Sequence, residues 1–431
     1  MKFSTETIKK IEKLMVADFA RQIESEEVKA GDLEQAIRAS LQEIGKTSYG
    51  EMLSLMDEHN HRVAADCECG GQGKRVSKRE AQVLSVFGWA GYRRSYYQCM
   101  SCGRRWVALD ENQGLRAGQA TEMMGSLLGL AGITVSFEEA RRQIEQYLLV
   151  DVSANTIRQE TQRIGEKQAE REQKWITQSQ DLAYLQELER QPKGPKRLYG
   201  SIDGAFVPLE AEWKEAKTVC WYQVGSRYGS SELHAQEIAY YTSLKPAETF
   251  GELLWGTSIQ HQADKADELI FVCDGAIWIW NLVKQYFPHA VQIVDWYHAC
   301  QYIHAVAEAL SLSQVEKDNW ITEMKSLLWN GEAEDILQEC RTHLKQVGYP
   351  AERLISYYTN NLERLRYADF RAKNYFIGSG TVESGCKQIV TMRLKRSGAR
   401  WTYQGAALTA KARTAWLSGS WLNVTRLPLA A

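Results

Sequence analysis

Three short stretches carry carboxylates in settings that suit metal chemistry. Asp203 and Asp274 each follow an apolar run and precede a glycine, in Ser201-Ile202-Asp203-Gly204 and Val272-Cys273-Asp274-Gly275. An acid at the end of a buried strand is poorly solvated unless something positive meets it. Glu383 lies in Gly378-Ser379-Gly380-Thr381-Val382-Glu383-Ser384-Gly385-Cys386-Lys387, at the start of an expected helix. From Ser384 to Ala431 there is no Asp or Glu, while Lys387, Arg393, Lys395, Arg396, Arg400, Lys411, Arg413 and Arg426 all occur there. An acid beside a basic tail points to a polyanion, with the acids holding a divalent cation and the basic residues holding phosphates. Three carboxylates can hold two Mg²⁺ or Mn²⁺ ions, which activate a water or 3′-hydroxyl and stabilise the leaving oxygen at a phosphodiester. Acid–glycine pairs also make turns, so spacing alone leaves that plainer reading open.

A second cluster consists of thiols. Cys67-Glu68-Cys69-Gly70-Gly71 is followed some thirty residues later by Cys99-Met100-Ser101-Cys102-Gly103. The residues between them, rich in Val, Trp and Tyr, have the composition of a β-hairpin. Two Cys pairs at the ends of a hairpin can bring four thiolates together around a structural Zn²⁺, as in a zinc ribbon. The first pair is C-x-C, tighter than C-x-x-C, and unliganded thiols are the alternative. Arg93, Arg94, Arg104 and Arg105 make the module a candidate nucleic-acid contact. The other five Cys are scattered singly and read as reduced thiols.

The elements that must position these residues follow from periodicity. Residues 1–60 read as helices, with Ile8, Ile11, Leu14, Met15 and Phe19 at helical spacing. Residues 61–112 form the hairpin module. Residues 113–190 are helical again: Ser136 and Ser153 are N-cap candidates, and the second helix carries Arg158 and Arg163. Helix, short turn and helix fit a helix-turn-helix DNA-binding region, or plain packing. Gln191-Pro192-Lys193-Gly194-Pro195-Lys196 has linker composition. After it the pattern becomes α/β. Strands are expected in 197–207, at Thr218–Val224 and at Glu237–Tyr241. Buried strands follow at 269–273 and 290–294, alternating with helices. Three antiparallel-type strands and then alternating strands and helices is the order of a ribonuclease H-like sheet. Residues 197–312 and 367–415 would form that core, 313–366 a helical insertion, and 416–431 a C-terminal tail.

The three acidic stretches resemble the motifs of bacterial DDE transposases, specifically the ISKra group of insertion-sequence transposases. Arg393-Leu394-Lys395-Arg396-Ser397-Gly398-Ala399-Arg400-Trp401 resembles the stretch that follows the Glu in that group. Asp295-Trp296-Tyr297-His298 resembles the acid/Cys-x-x-His motif of Mutator-like relatives. The resemblance covers roughly residues 60 to 415, and it departs at the C-x-C pair. It implies a ribonuclease H-like catalytic core that cuts and transfers DNA at element ends. Asp203, Asp274 and Glu383 would be metal ligands, with His298 and Asp295 nearby. Lys387, Arg393, Lys395, Arg396 and Arg400 would grip DNA, and Trp401 would stack on a base or pack in the core. The implied partners are terminal inverted repeats, target DNA and further copies of the chain.

Composition fits this reading without requiring it. The chain has 431 residues, 44% apolar and 25% charged, with a net charge of -2, so any nucleic-acid contact must be local. The start of the chain lacks the apolar core of a signal peptide, and no uncharged run is long enough to span a bilayer, so a cytoplasmic protein is expected. Two other functions compete. A DNA-binding regulator or inactive remnant would not need three acids. A carboxylate-pair glycoside hydrolase, stacking sugars on some of the fourteen Trp, would need neither basic tail nor Cys cluster.

Overall fold

The structure, a computed structural model, describes residues 4–24, 29–60, 65–190, 193–226 and 232–425. Arg426 and the Gln191-Pro192 part of the linker lie outside the described residues. Two compact units are present, one of residues 1–124 with 141–152 and one of residues 125–140 with 153–431.

In the first unit the long helix Ala30–Asn60 accompanies a four-stranded antiparallel sheet: β1 (Ala65–Asp66), β2 (Gln72–Ser85), β3 (Gly88–Cys99) and β4 (Arg105–Trp106). The hairpin β2–β3 turns tightly at Ser85↔Gly88, where Gly88 has φ 101, a conformation that favours glycine. Leu53, Val83, Tyr92 and Leu109 form a small core. Buried Asp57 accepts from the Ser95 amide at 2.9 Å and the Ser95 hydroxyl at 2.7 Å, tying helix to sheet. The preceding helix Thr5–Ile23 is capped by Ser4 and buries none of its residues.

The second unit is built on a five-stranded sheet. Its strands are β5 (Arg197–Pro208), β6 (Trp213–Ser226), β7 (Leu233–Ser243), β8 (Glu268–Cys273) and β9 (Val291–Val294). The order is β7-β6-β5-β8-β9; β5, β6 and β7 pair antiparallel, while β8 and β9 join in parallel. β6 is longer than its apolar stretch suggests, because Trp213–Lys217, three of whose five residues are charged, continues the ladder against β5. The end of β8, Ile270–Cys273, is wholly buried, as expected of a parallel strand covered on both faces. Helices Ala247–Gln260, Ile277–Tyr286 and Trp296–Ala309 supply the covering layers.

Residues 313–366 are helical as expected: Gln314–Asn330, Ala333–Thr342, Leu344–Val347 and Tyr349–Asn361, then a 3-10 turn at Leu362–Arg364. Ser313 and Glu316 close a reciprocal cap at the first helix. These helices share the main core through Trp320, Met324, Leu328, Ile336, Leu354 and Tyr358. The Tyr358 hydroxyl donates to the Ala299 carbonyl at 3.0 Å.

Helix Ala154–Gln178, capped by Ser153, is bound into this unit. It buries Ile157, Thr161, Ile164, Gly165 and Gln168, among others. A Cβ on Gly165 would stand 2.0 Å from the Leu408 carbonyl oxygen, so glycine permits its close approach to helix Tyr403–Leu417.

Candidate functional site

The middle of β5, the ends of β8 and β9 and the helix Gly380–Cys386 bring the acids together. β5 is the central strand and holds Asp203, whose Oδ1 accepts from the Gly204 amide at 2.7 Å. Asp274 follows directly on β8 and accepts from the Ala276 amide at 2.9 Å. Asp295 follows β9 and caps helix Trp296–Ala309 by accepting from the His298 amide at 2.7 Å. Glu383 projects from helix Gly380–Cys386, which widens into a π-helix over Lys387–Leu394. The His298 Nδ1 stands 3.1 Å from Asp295 and 3.6 Å from Glu383. Asp295, His298 and Glu383 offer ligand atoms all within 4.8 Å of one another.

The electrostatics tie Asp203 and Asp274 to the same place. Burial raises the Asp203 carboxyl above its ordinary range, and the nearby charges of Asp274 and Glu383 raise it further, against hydrogen bonds from Cys386 and Gly204. Burial likewise raises Asp274, with repulsion from Asp295 and Glu215 added. Asp295 behaves oppositely. Burial pushes it up, but hydrogen bonds from His298 and from the Ser379 amide outweigh that and hold it below the ordinary value. His298 is raised, first by its hydrogen bond to Asp295. The result is a group of four carboxylates and an imidazole, several of them ionised only against desolvation and mutual repulsion.

Sequence reasoning placed Asp295 near the acids without a defined role and left its partners unnoticed. Asp295, wholly buried, accepts from the Ser379 amide at 2.5 Å, and the Ser379 hydroxyl donates to Glu383 at 2.8 Å. The loop before Glu383 is therefore clamped to the end of β9. Tyr357, more than eighty residues from Asp274, donates from its hydroxyl to the Asp274 carbonyl at 2.6 Å. On β6, buried Lys217 pairs with Glu215 at 2.8 Å and sits in register with Gly204. Only Ser379 had a signal, since it lies inside the stretch around Glu383.

The basic residues divide, and several expectations need correction. Arg393 does not face solvent. It is buried between the Phe137 and Trp401 rings and donates to the Gly132 carbonyl at 2.7 Å; burial lowers its pKa to about 9. Arg163 is half-buried and held by Glu160 on its own helix, so it is not poised for a phosphate. Lys411 pairs with buried Glu172, and Arg413 donates to the Gln388 and Ile133 carbonyls. In the first unit, Arg94 is committed to Asp110, and Arg104 to Glu68 and Glu111. Arg158 is exposed and bonded to Asn155, and Arg396 is partly exposed and paired with Glu139 at 3.2 Å. Lys387, Lys395 and Arg400 are exposed, with Lys395 above the Trp213 ring. Trp401 packs in the core, its indole N–H donating to the Leu394 carbonyl at 2.9 Å.

The four clustered cysteines converge. Cys67 and Cys102 sulfurs lie 3.6 Å apart, as do those of Cys69 and Cys99. A zinc tetrahedron with bonds of about 2.3 Å spaces its sulfurs by roughly 3.8 Å, so the set fits a structural zinc site. The tight C-x-C spacing is accommodated by Gly70, with φ 81, in a turn closed by the Gly70 amide on the Cys67 carbonyl. The Cys102 and Ser101 amides draw the Cys99 thiol down to about 6. Cys69 is favoured as a thiolate by the Gly71 amide, yet the sulfurs of Cys102, Cys67 and Cys99 raise it to about 12. Four thiols this close ionise together only when a cation joins them.

Comparison with known proteins gives a family. The model of the uncharacterised protein family UPF0236 matches residues 24–427, and the chain belongs to that family. No curated protein matches the chain. Among the described residues no helix is long and apolar enough to cross a membrane.

Proposed function

We propose that the chain is a metal-dependent DNA transposase of the DDE type, related to the ISKra insertion-sequence group, with Asp203, Asp274 and Glu383 as its acidic triad. The observation that carries this reading is the convergence of acids 71 and then 109 residues apart in sequence: the charges of Asp274 and Glu383 both raise Asp203, and Glu383 lies 3.6 Å from His298, whose charge acts on Asp274. The strand order supports it, being the order expected of a ribonuclease H-like core.

The donor set suits hard divalent cations. Carboxylates held together against burial and repulsion gain most from a cation, and oxygen ligands favour Mg²⁺ or Mn²⁺. When bound, two such ions supply activation of a water or 3′-hydroxyl and stabilisation of the leaving oxygen. The chain's own residues do the rest. Asp203 presents its carboxylate from the middle of β5 and Asp274 from the end of β8. Asp295 and Ser379 fix the orientation of Glu383, and His298 holds a proton on Nδ1 facing both Asp295 and Glu383. Lys387, Lys395 and Arg400 offer exposed cations to the DNA backbone. Two element ends must be handled together, so a homo-oligomer follows from this function.

The test is cleavage of a duplex carrying the element ends, which this reading places as inverted repeats on either side of the reading frame. Asp203→Asn and Glu383→Gln should abolish Mg²⁺-dependent cleavage and leave duplex binding largely intact. Cleavage at the wild-type rate by either variant refutes the reading.

A further inference from the structure

A cleft of about 410 Å³ opens beside Asp274, and the acidic cluster accounts for only one of its ends. Its inner wall is aromatic. Tyr302 and Tyr357 stack with centroids 4.1 Å apart and planes inclined by 19°. The Tyr357 hydroxyl is spent on the Asp274 carbonyl, so this wall is fixed relative to the acid. Gly275, with φ 91, lets the wall reach Asp274 directly, since a Cβ there would stand 2.5 Å from the Tyr357 hydroxyl oxygen. The outer lip comes from the start of helix Tyr349–Asn361. The Tyr349 ring is 68% exposed, and the Arg353 guanidinium lies 5.5 Å from the Tyr302 centroid and 5.8 Å from that of Tyr349. Among the described residues no carboxylate forms an ion pair with Arg353.

We propose that this cleft receives a nucleobase, unstacked from the DNA next to the phosphate that meets Asp274. The proposal rests on the DNA-cleaving reading of the acidic cluster and adds to it a base-binding subsite. Three features select a base over other ligands. Its planar faces match the exposed ring of Tyr349 and the flat guanidinium of Arg353, and stacking of this kind accepts any base. The phosphate attached to it would lie at the acidic end, where a cation can hold it. The open mouth, with exposed Ile277 and Tyr349 at its rim, admits a group that swings out of a helix rather than one sealed inside. Removing a base from its stack costs a few kcal/mol, and a stacking partner in the cleft offsets that cost.

The experiment uses the full chain with an Asp203→Asn substitution, bound to the inverted-repeat duplex. 5-Iododeoxyuridine replaces single nucleotides on each side of the expected scissile phosphate. Irradiation should attach one of these bases to Tyr349 or Tyr302, as read by mass spectrometry of the digested adduct. In the otherwise native chain, Tyr349→Ala and Arg353→Ala should slow cleavage at least tenfold, while Tyr349→Phe retains it and Mn²⁺ binding followed by electron paramagnetic resonance stays unchanged. Adducts found only outside the cleft, in a duplex that native protein cleaves, overturn the subsite and leave the triad standing. Wild-type cleavage by both alanine variants does the same. A chain that binds neither Mn²⁺ nor the duplex overturns the reading of the acidic cluster and the subsite with it.

Discussion

Removing the Asp295 carboxylate should loosen the loop that carries Glu383, by an amount that can be worked from its contacts. Asp295 is wholly buried and accepts from the His298 amide, the His298 ring and the Ser379 amide. Hydrogen bonds to a charged group contribute about 1.5–3 kcal/mol each but do not add when they share an acceptor. In Asp295→Ala the Ser379 and His298 amides lose their acceptor, and the helix loses a cap worth about 1 kcal/mol. A local loss of about 2–3 kcal/mol corresponds to roughly 30- to 150-fold faster amide hydrogen exchange. Exchange followed by mass spectrometry should show it in the peptides containing His298 and Ser379, with β2–β3 unchanged. The pH dependence has a definite sign. His298 is raised in the fold, so its contribution is full below its ordinary value of 6.5 and is lost as pH rises through the folded value. Asp295 is lowered, so its contribution is full above its ordinary value of 3.8 and is lost as pH falls through the folded value. The difference between native and variant protein should therefore be widest between those two ordinary values. Acceleration below about fivefold at both amides would refute the reasoning, since even one ordinary hydrogen bond is worth about 1 kcal/mol.

Three further outcomes follow from the other sites. The native chain should carry about one zinc ion per chain on its four thiols, and chelation should strip it and expose the amides of β1, β4 and the two cysteine turns; unchanged exchange there after zinc loss refutes a structural role. Arg393→Ala should destabilise the second unit by about 2–4 kcal/mol in denaturant titration, because it empties a buried site and strands the Gly132 carbonyl. Lys395→Ala should change stability by under about 0.5 kcal/mol while lowering the salt slope of DNA binding by about 1. A stable Arg393→Ala protein with weakened DNA binding would reverse that division.

How much of this was legible in the sequence depended on whether the cause was local. The caps at Ser136 and Ser153 rest on short-range hydrogen bonds, to the amides of Glu139 and Thr156, and could be read directly. The short apolar runs of β8 and β9 could be read as buried strands from their length and their rich Val and Ile content. The hairpin was legible from its composition and the cysteine pairs at its ends. The fates of the arginines were not. Arg393, Lys395 and Arg396 look equivalent along the chain, yet Arg393 alone meets a carbonyl 261 residues away. Burial of a charged group is decided by its partners, and those come from tertiary packing. The clamp by Asp295 and the contact of Tyr357 with Asp274 were hidden for the same reason.

The close seat of Gly165 against Leu408 also sets a timetable for synthesis. Helix Ala154–Gln178 leaves the ribosome early, but the surface it covers belongs to a helix made some 240 residues later, as the numbering of Gly165 and Leu408 requires. At about 5–20 residues per second, the nascent chain spends on the order of ten seconds or more with that face uncovered. Glu383 emerges near the end of the same interval, so the acids gather only when translation of this unit is nearly complete.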